Sequence, residues 1–258
     1  MTFVQLEIKD HVGILTIDRP QALNALNTEV LGQLSKALDE LDLDNLRCLI
    51  VTGGGNKSFV AGADIGEMSD LSKKQAEVFG KHGNDVFRKL ETLPIPTIAV
   101  VNGFALGGGC ELAMSCDIRL ASDRAIFGQP ETGLGITPGF GGTQRMARLI
   151  GPGKAKELIF TARNFKAPEA LEIGLVQAVY PAEELMAEAE NMAQRIAGNA
   201  PIAVRAAKKA INDGIHLNMD EAMVVEEKLF ASCFESVDQR NAMNAFIEKR
   251  ERNPFINR

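Results

Sequence analysis

Two glutamates stand out among the residues able to move protons. Glu111 lies inside the small, apolar run Cys110-Glu111-Leu112-Ala113-Met114, and Glu131 follows Pro130 in Phe127-Gly128-Gln129-Pro130-Glu131. Taken singly, each has an ordinary reading: Glu111 as a solvated helix residue or a partner for a helix N-terminus, Glu131 as a surface loop acid. Brought into one cleft they would behave differently. Each charge raises the pKa of the other, so one carboxyl can stay protonated while its neighbour is ionised. That pairing suits the addition or removal of water by general acid–base catalysis.

Glycine turns surround these acids. Gly107-Gly108-Gly109 follows the apolar strand Thr97–Val101 and the segment Asn102-Gly103-Phe104-Ala105-Leu106. Placed between a strand and a helix, such a turn aims several backbone N–H groups outward. Ala61-Gly62-Ala63-Asp64 could present another from a neighbouring loop. Two N–H groups converging on one oxygen make an oxyanion hole, suited to an enolate or a tetrahedral centre. The plainer reading is that the glycines only let strand and helix approach closely. A third cluster, Pro138-Gly139-Phe140-Gly141-Gly142-Thr143-Gln144-Arg145, completes the stretch.

Other chemistries lack their motifs. No GxGxxG follows a first strand, no GxxxxGK[ST] occurs and no GxSxG occurs. His11, His82 and His216 read as surface or structural residues. The four cysteines (Cys48, Cys110, Cys116, Cys233) have no CxxC spacing and read as buried free thiols, so no metal site is expected. With 45% hydrophobic and 24% charged residues, the 258-residue chain has an ordinary globular composition, room for one large domain or a core with an appendage. A net charge of −6 argues against a nucleic-acid partner. No apolar run approaches the roughly 20 residues of a membrane span. The start, Met1-Thr2-Phe3-Val4-Gln5, does not resemble a leader, which makes the cytoplasm the expected location.

The positioning elements follow from periodicity. Phe3–Lys9 and Val12–Ile17 read as a hairpin, and Val30, Leu31, Leu34, Leu38 and Leu41 mark a helix after Thr28. Leu46–Thr52 reads as a strand buried on both faces. Phe59–Met68 reads as turn chemistry, and Ser72–Leu93 as a helix ended by Pro94 and Pro96. Alternating strands and helices predict an α/β fold. Beyond Lys154 the segments Lys154–Thr161, Pro168–Ile173, Glu183–Asn199, Pro201–Asp213, Met219–Ala231 and Val237–Arg250 suit helices, with Leu175–Tyr180 the one strand-like interruption. We therefore expect a catalytic core over residues 1–199 and a helical region over 200–258. Met223, Phe230, Met243 and Phe246 read as core or interface residues.

The motifs resemble the crotonase family of enoyl-CoA hydratases. The resemblance runs through Asp18-Arg19-Pro20, Asn24-Ala25-Leu26-Asn27, Ala61-Gly62-Ala63-Asp64-Ile65, the Asn102–Ala113 run, Phe127–Glu131, Pro138–Arg145 and Phe246-Ile247-Glu248-Lys249-Arg250. It implies a spiral of repeated strand–strand–helix turns, a C-terminal helical trimerisation region, and a homo-oligomer, usually a hexamer made of two trimers. It also implies Ala63 and Gly108 as oxyanion-hole donors, Glu111 and Glu131 as the catalytic pair, and Gly139 as a water-positioning residue. Backbone around Ala61, Ala63, Asp64, Ile65 and Gly66 would hold CoA, with Phe246 and Lys249 reaching a CoA on a neighbouring subunit. Glutamate at both catalytic positions implies a hydratase, and the closeness of the resemblance to short-chain hydratases implies a short-chain trans-2-enoyl-CoA such as crotonyl-CoA as substrate, with no metal or redox cofactor because CoA belongs to the substrate. The same step serves fatty-acid β-oxidation and a butyrate or butanol route. Enoyl-CoA isomerisation, which needs only one glutamate, is the alternative activity, and a scaffold that binds without turnover is the alternative class. Two departures are visible: Gly66 stands where many relatives carry lysine, and Thr132-Gly133 replaces a larger apolar pair.

Overall fold

Ten strands form two sheets in a computed structural model that describes residues 1–258. The six-stranded sheet contains, in spatial order, β1 (Val4–Lys9), β2 (Val12–Ile17), β3 (Cys48–Gly53), β5 (Thr97–Val101), β7 (Ile118–Ser122) and β10 (Ala178–Tyr180). The four-stranded sheet contains β4 (Ser58–Val60), β6 (Phe104–Leu106), β8 (Ile126–Gly128) and β9 (Asn164–Lys166). β1–β2 and β8–β9 are antiparallel, and every other pairing is parallel. Three successive pairs, β3–β4, β5–β6 and β7–β8, each place one strand in each sheet. Helices α3 (Lys73–Glu91), α4 (Gly108–Met114) and α5 (Gly142–Ile150) follow those pairs in turn. The chain therefore advances as a strand–strand–helix spiral, and the glycine turns fall where it leaves the small sheet.

Burial explains why the strands of the large sheet are apolar throughout. Every residue of β3 and β5 is buried. Alternate side chains feed different cores, as strand geometry requires. Leu49, Val51, Ala99 and Val101 enter the main core, with Val30, Leu31 and Leu34 of α1 (Thr28–Asp39) and Phe87 and Leu90 of α3. Cys48, Ile50, Ile98, Val100 and Leu120 face the other way, onto Leu185, Ala189, Ala193 and Ala197 of α8 (Leu185–Ala197). Those α8 residues recur every fourth position, and the alanines let the helix lie close to the sheet. At the entry to α3, Ser72 and Gln75 form a capping box, worth about 1 kcal/mol.

The structure departs from sequence expectation at short elements. Phe59–Met68 is not only turn: it holds the end of β4 and the single helical turn α2 (Ile65–Met68). β9 adds a second strand beyond Lys154, between α6 (Pro152–Thr161) and α7 (Ala167–Glu172). The final helices are α9 (Pro201–Gly214), α10 (Met219–Ser232) and α11 (Val237–Ile247), the last stopping short of Arg250. α9 is anchored by Lys208, which donates to Asp117 Oδ2 at 2.7 Å and to the Ile95 carbonyl at 2.9 Å. The tail returns to the core: Arg47 donates to the Phe255 carbonyl at 2.7 Å, and Asp238 accepts from the N–H of Ile256 and Asn257. All four cysteines are free, three of them buried.

Candidate active site

Residues of the Gly107–Gly109 turn have separate jobs. Gly107 leaves β6 with φ +48°, and its N–H donates to the Gly128 carbonyl at 2.9 Å, closing the ends of β6 and β8. A β-carbon on Gly107 would sit 2.7 Å from Glu131 Oε1, so the bare backbone makes room for that carboxylate. Gly109 serves close packing instead: a β-carbon there would lie 1.8 Å from the Val60 carbonyl oxygen of β4. Gly108 opens α4, so its N–H has no acceptor within the helix.

Glu111 sits in the first turn of α4 and is 1% exposed. Its Oε1 accepts from the N–H of Phe140 at 2.9 Å and of Gly142 at 2.6 Å. Oε2 makes no bond to protein. Burial pushes this carboxyl up to about 7, while the two N–H donors and the charge of Arg145 pull against the rise. Glu131 lies in the 3-10 turn Pro130–Leu134 and is 9% exposed, so it is not the surface acid its loop context suggests. Burial, and then the charge of Glu111, push it up to about 7 as well. Gln129, fully buried, sets its side-chain amide group against Glu131, 3.2 Å from each carboxyl oxygen.

Ala63 approaches from the other side. Leu26 and Ala63 form an isolated parallel bridge in which the Leu26 N–H donates to the Gly62 carbonyl and the Leu26 carbonyl accepts from the Asp64 N–H. The N–H of Ala63 takes no part in it and donates to nothing in the protein. Its nitrogen lies 3.4 Å from the point where a β-carbon on Gly108 would sit. Between these groups opens a cavity of about 810 Å³, lined by Ala61, Ala63, Ile65, Gly108, Glu111, Glu131 and Gly139 together with the apolar side chains of Leu106, Leu134 and Ile136. Two unpartnered N–H groups and two carboxyls thus face one space.

Other residues singled out from sequence lie outside that wall. Asp64 turns to Arg19, which donates to it at 2.8 Å and holds its carboxyl below the usual range, and its second oxygen accepts from the Gly66 N–H at 3.1 Å. Phe246 (86% exposed) and Lys249 do not line the cavity. Neither do Thr132 and Gly133; the Thr132 hydroxyl donates to the Ile159 carbonyl at 2.5 Å. Two residues gain a place here that sequence reasoning does not give them: Gln129, beside Glu131, and Asn84, which reaches the same loop as Glu111. A lone amide inside a helical pattern gives no signal of its own.

The chain resembles known proteins along almost its whole length. The family model described as enoyl-CoA hydratase/isomerase matches residues 7–255. A short-chain-enoyl-CoA hydratase of Clostridium acetobutylicum is 55% identical over 99% of this chain and 98% of its own length. A crotonyl-CoA hydratase of Syntrophomonas wolfei is 51% identical over 98% of this chain and 97% of its own. Among solved structures, an enoyl-CoA hydratase from Bacillus anthracis superposes with a TM-score of 0.94 at 38% identity, covering 99% of this chain and 100% of the other. The chain belongs to the enoyl-CoA hydratase/isomerase family and has the crotonase fold.

Proposed function

We propose that the protein catalyses the reversible syn hydration of a short-chain trans-2-enoyl-CoA, crotonyl-CoA above all, to the 3-hydroxyacyl-CoA. The observation that carries this reading is the arrangement of two buried carboxyls opposite two unpartnered backbone N–H groups in one cavity. The names of the two relatives above support the substrate class.

The roles of the acids follow from their partners. Glu111 receives two backbone N–H donors and lies within the field of Arg145, all of which favour its anion. Glu131 has the Gln129 amide and the repulsion of Glu111. Glu111 is therefore the base and Glu131 the acid. Water between them loses a proton to Glu111 Oε2 as its oxygen bonds to C3 of the enoyl group. The C2–C3 π electrons move onto the thioester, and Glu131 delivers its proton to C2. Both carboxyls line the same cavity, and in this reading they deliver oxygen and hydrogen to one face of the enoyl group. Ala63 and Gly108 N–H bind the thioester oxygen while it carries enolate charge; each such donor is worth about 3–4 kcal/mol of barrier. A proton passing from Glu111 to Glu131 through the next water resets the pair.

The exposed apolar residues of the last helices support assembly with further copies, and the family resemblance makes two trimers the expected form. Ile211, Ile215, Met219, Phe230 and Phe246 are each more than half exposed. Phe246 and Lys249 would then reach a CoA held by the neighbouring subunit.

The test is the ultraviolet absorbance of crotonyl-CoA, whose conjugated enoyl thioester disappears on hydration. Rapid, reversible loss with formation of 3-hydroxybutyryl-CoA is expected; unchanged absorbance would overturn the proposal.

A further inference from the structure

The peptide joining Gly139 to Phe140 is hydrogen-bonded at both ends. Its N–H, on Phe140, donates to Glu111 Oε1 at 2.9 Å. Its carbonyl, on Gly139, accepts from Nδ2 of Asn84 at 2.8 Å. The same amide nitrogen donates to the Gly80 carbonyl at 3.0 Å, which pins the Asn84 side chain to its own helix, α3. The next carbonyl along, of Phe140, accepts from Arg145 Nη1 at 2.7 Å, and Arg145 is paired with Glu91 near the end of α3 at 3.1 Å. The Phe140 ring lies against Phe79 and Phe87, with centroids 5.3 and 5.5 Å away. One helix therefore grips the loop that supplies both N–H donors to Glu111.

We propose that Asn84 is a positioning residue that fixes Glu111 through the Gly139–Phe140 peptide. The inference rests on Glu111 being the base of the hydratase proposed above. A peptide is planar, so holding its carbonyl fixes the direction of its N–H. A donor on the carbonyl also polarises the unit, and the N–H on the far side becomes a stronger donor. Asn84 thus helps keep Oε1 occupied and leaves Oε2 to face the water. Arg145 holds the following peptide, whose N–H belongs to Gly141 and makes no bond to Glu111, and it acts on Glu111 by its charge, whereas Asn84 is neutral and acts through the peptide alone.

The groups facing Glu111 set the direction of the effect. Arg145, from α5, favours ionisation, with its own charge partly answered by Glu91 of α3; Glu131, from the 3-10 turn, is the group that the Glu111 charge keeps protonated. Cys110, adjacent on α4, is a thiol pushed up to about 12 by burial and stays neutral. Removing the Asn84 amide weakens a donor to the anion, so the Glu111 carboxyl titrates at higher pH.

The experiment compares wild type, N84A and N84D, the last nearly isosteric but placing acceptor oxygens against the Gly139 carbonyl. Three readouts are taken: kcat and KM for crotonyl-CoA across pH, the 13C titration of the Glu111 carboxyl in unliganded protein, and circular dichroism to confirm folding. In N84A, kcat at neutral pH is expected to fall roughly tenfold with KM within about twofold. The acid limb of kcat and the Glu111 titration should both move up by roughly half a unit, and further in N84D. In an E111Q background the N84A change should alter the residual rate by less than about twofold, because its target is gone. A folded N84A or N84D with an unmoved acid limb and an unmoved Glu111 titration would overturn the proposal. If wild type hydrates no enoyl-CoA, the hydratase reading fails by itself, while the carboxyl titration still decides whether Asn84 acts on Glu111.

Discussion

The amide nitrogen of Ala63 faces Gly108 across a gap in which a single added β-carbon would lie 3.4 Å from it. Neither N–H is satisfied by the fold, and a folded chain leaves such donors free only where something else will accept from them. The pair is held by two different connections: the bridge to Leu26 on one side and the start of α4 on the other. Gly108→Ala is therefore expected to fill the gap without unfolding the protein, since the same β-carbon meets the edge of the Phe140 ring at 3.2 Å and needs only a small shift there. Turnover of crotonyl-CoA should fall by about 10²–10³. Steady-state kinetics beside thermal melting check it; full activity in a folded variant would remove Gly108 from the oxyanion hole.

Glu111→Gln and Glu131→Gln should each reduce kcat by about 10²–10⁴. Binding of a saturated acyl-CoA should change little, because neither carboxyl is needed to hold the thioester. Gln at position 111 can still offer its carbonyl oxygen to the N–H of Phe140 and Gly142, so the loop stays in place. Isothermal titration with butyryl-CoA separates loss of chemistry from loss of binding.

Stability should depend on pH through the same pair. Both carboxyls titrate near 7 in the folded protein, against an ordinary value of 4.5. A folded-state pKa above the unfolded one means that the folded protein binds the proton more tightly between these values. The resulting stabilisation is fully present below about pH 4.5 and is lost as pH rises through 7. For a shift of this size the cost at pH 8 is at most about 3 kcal/mol for one group. E131Q should accordingly melt above wild type at pH 8, with the gap closing toward pH 5. A constant gap across that range would contradict the raised pKa.

Much of the large sheet and of the acid pair is legible in the amino-acid sequence. Leu49 to Val51 and Ile98 to Val101 are apolar on both faces because two cores need them, and a continuous apolar strand reads that way. Glu111 and Glu131 are recognisable through their glycine and proline surroundings, although each alone resembles an ordinary acid. The small sheet is not legible. β4, β6, β8 and β9 have three residues each, too few to show a period, and they exist because the spiral stacks them. α5 is hidden by its start: Gly141, at φ +97°, and Gly142 look like a turn until the helix that follows is seen. Gln129 and Asn84 meet their partners through contacts that only the folded chain creates.

Crotonyl-CoA incubated with the protein in 18O-labelled water distinguishes hydration from every rearrangement that needs no water. Mass spectrometry should find one labelled oxygen at C3 of 3-hydroxybutyryl-CoA, formed quickly by wild type and about 10²–10⁴-fold more slowly by E131Q. A moved double bond without label, or label incorporated equally well by E131Q, would contradict the two-carboxyl mechanism.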